Sequence, residues 1–222
     1  MSLVRRLAAA TVATAACMVG LGSCTDDGEP APTSSPSETS TPLAEFATEA
    51  LVVRRESICA DAGRDAVDAG AVDPGAVEEA LEGEPEASSS YDNGEPARLT
   101  EGVTDVAHEF GCVWRRADGT SARAWVFAPP VTVDRARLLV RGALTAPGCS
   151  PVPDAPAFGR PSVAVLCRGD GALEVSYRGL FGDAWLSCAL EVPARGLDRA
   201  ALLDGAGRWC VAVATAAGPQ EQ

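Results

Sequence analysis

Apolar residues change their spacing repeatedly along this chain, and each change marks an element. An apolar run from Leu7 to Gly22 follows Arg5 and Arg6, too short and too rich in Ala for a comfortable membrane span, and it reads as an export signal. The stretch "TDDGEPAPTSSPSETST", Thr25 to Thr41, has no large apolar side chain. It cannot bury enough surface to offset its ordering entropy and reads as a flexible tether. Thr41 and Pro42 then form a cap-plus-proline signal, with Leu43, Phe46, Ala47, Ala50 and Leu51 on one helical face. Asp73 and Pro74 repeat that signal for a short helix through Leu81, and residues 82–96 read as an exposed acidic loop.

Beyond Val106 the period shortens. Cys112 to Arg116 and Ser121 to Ala128 alternate about a turn at Asp118 and Gly119, which predicts a hairpin ended by Pro129 and Pro130. Thr132 starts a helix through about Ala143, with Val133, Ala136, Leu139, Val140 and Ala143 at helical spacing. Strands are expected at Ser162 to Cys167 and Ala172 to Tyr177, joined by "RGDG", and again at Trp185 to Val192. A last helix runs from about Leu197 to Ala212 or beyond. "DRARLLVRGA" (134–143) lines up with "DRAALLDGA" (198–206), each after an apolar strand ending in Pro and each followed by a Cys. The expected fold is therefore α+β, a mostly antiparallel sheet with helices on one face, built from two hairpin-helix repeats. The expected division is a signal peptide over 1–23, a tether over 24–41 and one domain over 42–222.

Charge changes the picture in one respect. The 222 residues carry a formal charge of −13, all 18 basic residues are Arg, and residues 24–110 hold 21 acids against 4 Arg. That acidic balance, with Arg scattered rather than striped, disfavours nucleic acid as a partner.

"LGSC", Leu21 to Cys24, closes the signal with small residues before a Cys and resembles the lipobox of bacterial lipoproteins, in which that Cys is diacylated and begins the mature chain. Setting aside Cys17 in the signal and Cys24 at the anchor leaves Cys59, Cys112, Cys149, Cys167, Cys188 and Cys210. Six is an even number, as a disulfide framework in an exported protein requires. They admit fifteen connectivities. The pairing expected is Cys59 to Cys112, Cys149 to Cys167 and Cys188 to Cys210, the last stapling a core strand to the closing helix. No CxxC pair points to a metal.

Candidate chemistry is sparse. His108 is the single His, and no GxSxG elbow, Walker-type loop or dinucleotide fingerprint is present. No cofactor is implied. "YRGLFGDAW", Tyr177 to Trp185, reads as a loop between strands and makes Phe181, Asp183 and Trp185 binding-loop candidates; the preferred reading tucks Phe181 and Trp185 into the core while Asp183 caps the turn. Trp114, Trp125 and Trp209 sit beside strands or cysteines and read as core.

The lipobox, the tether, "GCVW" (111–114) and the late "WC" (Trp209, Cys210) together resemble actinobacterial cell-envelope lipoproteins, with a fainter likeness to the disulfide-linked extracellular sensor domains of mycobacterial receptor-type Ser/Thr kinases. The resemblance implies a chain held on the extracytoplasmic face of the cell membrane by an N-terminal diacylglycerol. Three functions remain open: a non-enzymatic binding or sensory domain for an envelope component or partner protein, a carrier of a lipid or small molecule in an apolar cavity, and an envelope hydrolase using His108.

Overall fold

Two two-residue turns and three side-chain caps set the frame on which the sheet is built. In the computed structural model, which describes residues 40–59, 70–100, 103–195 and 198–219, Asp73 caps helix α1 (Pro74–Leu81) by accepting from the Ala76 amide at 3.1 Å. Thr132 caps α2 (Val133–Leu144) through the Arg135 amide, and Asp198 caps α3 (Arg199–Ala217) through the Ala200 amide. Among the described residues the strands are β1 (Ala87–Tyr91), β2 (Pro96–Thr100), β3 (Val103–Val106), β4 (Glu109–Arg115), β5 (Ser121–Phe127), β6 (Cys149–Pro151), β7 (Ser162–Gly169), β8 (Ala172–Phe181) and β9 (Ala184–Pro193). Seven of them form one antiparallel sheet in the order β1-β4-β5-β9-β8-β7-β6, while β2 and β3 pair separately. The fold is α+β with a disulfide-stapled antiparallel sheet, as the hydrophobic pattern predicts.

The "RGDG" hairpin closes with Asp170 and Gly171 both at positive φ, the geometry that favours Asp-Gly between twisted strands. The β8–β9 turn is as tight. Gly182 takes φ +65° at its first central position, so β8 continues to Phe181 and β9 restarts at Ala184. The loop expected over Tyr177 to Trp185 is thereby corrected to two strand ends and a two-residue turn. Two further expectations change. The helix expected from Pro42 is instead a pair of 3₁₀ turns, Leu43–Glu45 and Thr48–Ala50, because the fully buried side chains of those turns are Leu43 and the polar Thr48, too little apolar burial to hold a longer helix. The acidic loop over 82–96 contains β1, which runs along β4 from Ala87 opposite Arg115 to Tyr91 opposite Gly111.

Strand alternation assigns the two faces of the sheet. Cys112, Ala122, Ala124, Val126, Leu166, Val175, Leu186, Cys188 and Leu190 share one core with Trp209, Cys210, Val213 and other residues of α3 and with Val77 and Leu81 of α1. The alternate residues face the other way. There Val163 and Val165 pack on Ala143, and Leu180 and Trp185 pack on Val131 and Ala136. α1 and α3 thus share one face while α2 lies on the opposite one, which corrects the expectation of helices on a single face. The two hairpin-helix units follow one another in topology but send their helices to opposite sides, because α2 follows Val131, which pairs by its amide with the Asp183 carbonyl at 2.8 Å beneath the β8–β9 turn.

Disulfides join Cys59 to Cys112, Cys149 to Cys167 and Cys188 to Cys210, the pairing expected. The last ties β9 to α3, and Cys149–Cys167 bridges directly opposed residues of β6 and β7. Arg54 closes the far end of α3: its amide donates to the Ala217 carbonyl at 2.8 Å, and its guanidinium donates to the Gly218 and Ala216 carbonyls. This satisfies carbonyls that the last helical turn leaves open. Cys17, Cys24, the export signal and the tether up to residue 39 lie outside the described residues. Among the described residues no helix is long and apolar enough to cross a membrane.

Candidate functional site

α2 covers only part of its face of the sheet. Along β5, β9 and β8 the uncovered part places Arg123, Trp125, Ser187, Ala189, Ser176, Arg178 and the Glu174–Glu191 pair on one surface, because antiparallel partners share a face: Trp125 stands opposite Ser187, Ser187 opposite Arg178, Arg123 opposite Ala189, and Ala189 opposite Ser176. Its centre line on β9 is made of small side chains, Ser187 and Ala189, both fully buried.

Two arginines cross that line in opposite directions. Arg178, on β8, passes over Ser187 so that its guanidinium carbon lies 5.8 Å from the Trp125 ring centre on β5, a cation–π contact. Arg123, on β5, extends across β9 toward β8, where its Nη2 donates to Glu191 Oε2 of β9 at 2.9 Å and pairs with Glu174 of β8. Glu174 and Glu191 stand directly opposite each other, a like-charge pair that Arg123 bridges, leaving one negative charge uncompensated. Arg178 has no such partner: among the described residues no carboxylate lies within ion-pair distance of it. Burial first, and then the field of Arg123, push its guanidinium below the usual arginine value.

Beside Trp125 the surface continues onto β4 and β1. Tyr91 lays its ring across Gly111, where a Cβ would run into the ring, and donates its hydroxyl to Glu109 Oε1 at 2.6 Å. Burial, followed by this bond and the Glu109 charge, raises the phenol above its ordinary value, while Arg123 acts in the opposite direction. Among the described residues, the buried side-chain polar atoms without a partner are Arg123 Nε, Ser176 Oγ, Arg178 Nε and Ser187 Oγ. All four belong to this one surface. A buried unpaired hydroxyl costs about 1–3 kcal/mol. Ser187→Ala and Ser176→Ala are therefore expected to raise stability by about 1 kcal/mol each, read as a higher midpoint of thermal unfolding of the full chain. A lower midpoint would mean that the hydroxyl is bonded.

The residues singled out by sequence sit elsewhere. Phe181 and Trp185 are each 2% exposed, on opposite faces: Phe181 joins the α3 core at 5.1 Å from Phe158, and Trp185 packs under α2. Both rings are thus tucked into the core, the reading preferred from sequence, and neither lies in an exposed binding loop, since adjacent strand ends turn both inward. Asp183 remains exposed at the turn and pairs with Arg55 at 3.5 Å. His108 is exposed before β4; its carbonyl accepts from the Ala128 amide, and among the described residues its imidazole makes no hydrogen bond. An open groove of about 330 Å³ between the Pro42–Ala44 turn and the Val152–Pro156 connection reaches Tyr177 and Gly207 on the α3 side. No group of three metal-ligating side chains converges among the described residues. Trp125, read as core from its neighbours, instead floors the half-open face. Arg123 and Arg178 gave no signal, because 55 residues of sequence separate positions that only the β5-β9-β8 pairing brings together.

No protein-family model matches the chain, and no curated protein matches it in sequence.

Proposed function

We propose that this chain is a membrane-anchored lipoprotein of an actinobacterial cell envelope, and that its folded part is a non-enzymatic binding or sensory domain for an envelope component or partner protein. The observation that carries the binding role is the half-covered sheet face, on which four buried polar atoms lack partners while an aromatic ring and a guanidinium lie at its surface. Stable domains bond such atoms, so their retention on one surface favours a use outside folding. The extracytoplasmic address is supported by the cysteine pattern. Six cysteines outside the signal and the LGSC motif stand in three pairs, which suits an oxidising compartment. Two acyl chains on Cys24 would hold the chain stably, since a single chain binds membranes only marginally.

Cys24→Ala is expected to move the protein from the membrane fraction to the soluble exported fraction of an expressing actinobacterial host, with loss of the diacyl mass from the N-terminal peptide. A variant that stays with the membrane would overturn the anchor. The binding role is checked by native mass spectrometry of the full chain purified from membranes, where a ligand mass should accompany the folded protein and vanish on denaturation.

A further inference from the structure

The two arginines crossing β9 have unequal fates, and the difference defines a ligand. Arg123 ends on Glu174 and Glu191 and is neutralised there. Arg178 ends on an aromatic face, its cation met among the described residues by the ring of Trp125 and by no carboxylate. A half-buried guanidinium loses hydration that a ring face replaces only in part, whereas a carboxylate matches its planar fork with two parallel hydrogen bonds. Ser187 lies directly beneath this contact, opposite both Trp125 and Arg178, with a hydroxyl that has neither donor nor acceptor partner. A hydroxyl there can donate to an anion seated on Arg178. The surrounding charge limits that anion. Glu174, Glu191 and Glu109 border the same surface, so its three carboxylates outnumber Arg123 and Arg178, and a second negative charge on the ligand would face repulsion. This disfavours a phosphate monoester or another dianion and fits a single carboxylate.

We propose that the corner formed by Arg178, Trp125 and Ser187 binds a monocarboxylate carried on a saccharide-like ring, with the carboxylate on Arg178 and the apolar face of the ring against Trp125. This rests on the binding reading above and names its ligand class. The ring contact follows from the partial exposure of Trp125, beside which the Tyr91 ring lies over Gly111, the β4 residue opposite Trp125. Binding lifts Arg178 from a ring face onto a charge and gives the Ser187 hydroxyl a partner, so both unmet groups are satisfied in one step.

The test titrates the full chain with glucuronate, with glucose as the ring lacking the carboxylate and with inorganic phosphate as the competing oxyanion. It follows the ¹H–¹⁵N signals of the Trp125 indole and the Arg178 Nε–H. Glucuronate should shift both signals saturably, with a Kd on the order of 1 mM for so small a ligand, and should bind at least about tenfold tighter than either control. Arg178→Lys, which keeps the charge but not the fork, should weaken glucuronate about tenfold while the remaining spectrum stays native. Ser187→Ala should weaken glucuronate severalfold while raising the unfolding midpoint; a purely structural serine would not move these two readouts in opposite directions. Equal binding of glucose, tighter binding of phosphate, or an unchanged glucuronate Kd in Arg178→Lys would each overturn the proposal. A different co-purified ligand on the native full chain, unaffected by Arg178→Lys, would sink the carboxylate site and leave the binding role standing. Absence of any co-purified ligand together with no glucuronate shift would remove both.

Discussion

Reducing its three disulfides is expected to unfold the domain at room temperature. The bridges close stretches of 53, 18 and 22 residues that follow one another along the chain without overlap. In the chain-entropy description each restricts the unfolded ensemble independently, by about 4, 3 and 3 kcal/mol, and together by about 10 kcal/mol. A domain of this size is ordinarily stable by only about 5–15 kcal/mol in total, so the loss removes most or all of the margin. Near-ultraviolet circular dichroism of the full chain, recorded before and after reduction under native conditions, measures this directly. Collapse of the aromatic signal is the expected outcome. A reduced protein that keeps its aromatic signal and a cooperative thermal transition would show that the cores carry the fold without their staples. The paired substitution Cys188→Ala with Cys210→Ala isolates the bridge between β9 and α3 and should lower unfolding free energy by about 3 kcal/mol.

Trp209→Ala should be the most damaging single substitution, at about 3–5 kcal/mol in urea denaturation of the full chain. Trp209 is 1% exposed and meets Trp114 edge to face at 5.4 Å between ring centres, and its indole Nε1 donates to the Arg123 carbonyl at 3.0 Å. Truncation opens a large void in the α3 core and strips a partner from a β5 carbonyl. Trp209→Phe fills most of the void and should cost about 1–2 kcal/mol, mainly through the unpaired carbonyl. Because that carbonyl belongs to the residue whose side chain bridges Glu174 and Glu191 on the opposite face, Trp209→Phe also probes whether the two faces of β5 communicate. A loss below 1 kcal/mol for Trp209→Ala would contradict the packing described.

Much of the fold was legible because its signals are local. Asp73-Pro74 and Thr132 announce α1 and α2 through capping atoms within three residues, and "RGDG" announces the β7–β8 turn through two adjacent φ values. What the sequence concealed depends on the sheet. β1, "ASSSY", carries no apolar alternation because four of its five residues are exposed, and backbone pairing with β4 alone makes it a strand. The opposite placement of α2 and α3 is equally hidden, since the similar stretches at 134–143 and 198–206 specify a helix but not the face it will cover. The candidate site was the least legible. Its arginines lie at alternate-face positions of long strands, and nothing in "SARAWVF" or "LEVSYRG" shows that Arg178 will reach Trp125 across Ser187. The aromatic run around Gly182 drew attention through composition, whereas a two-residue turn turned its rings into both cores.

The two margins of the sheet differ in how they meet a neighbouring molecule. At one margin β6 is three residues long and held to β7 by Cys149–Cys167, too short to template an added strand. The other margin, β1, presents its free edge through Ser88, Ser89 and Ser90, with Glu82, Glu84 and Glu86 just ahead of it. Two copies approaching edge to edge would bring these acids together and gain no buried apolar area in return. Among the described residues, shortness at one border and repulsive polarity at the other thus make both margins of the sheet poor templates for an added strand.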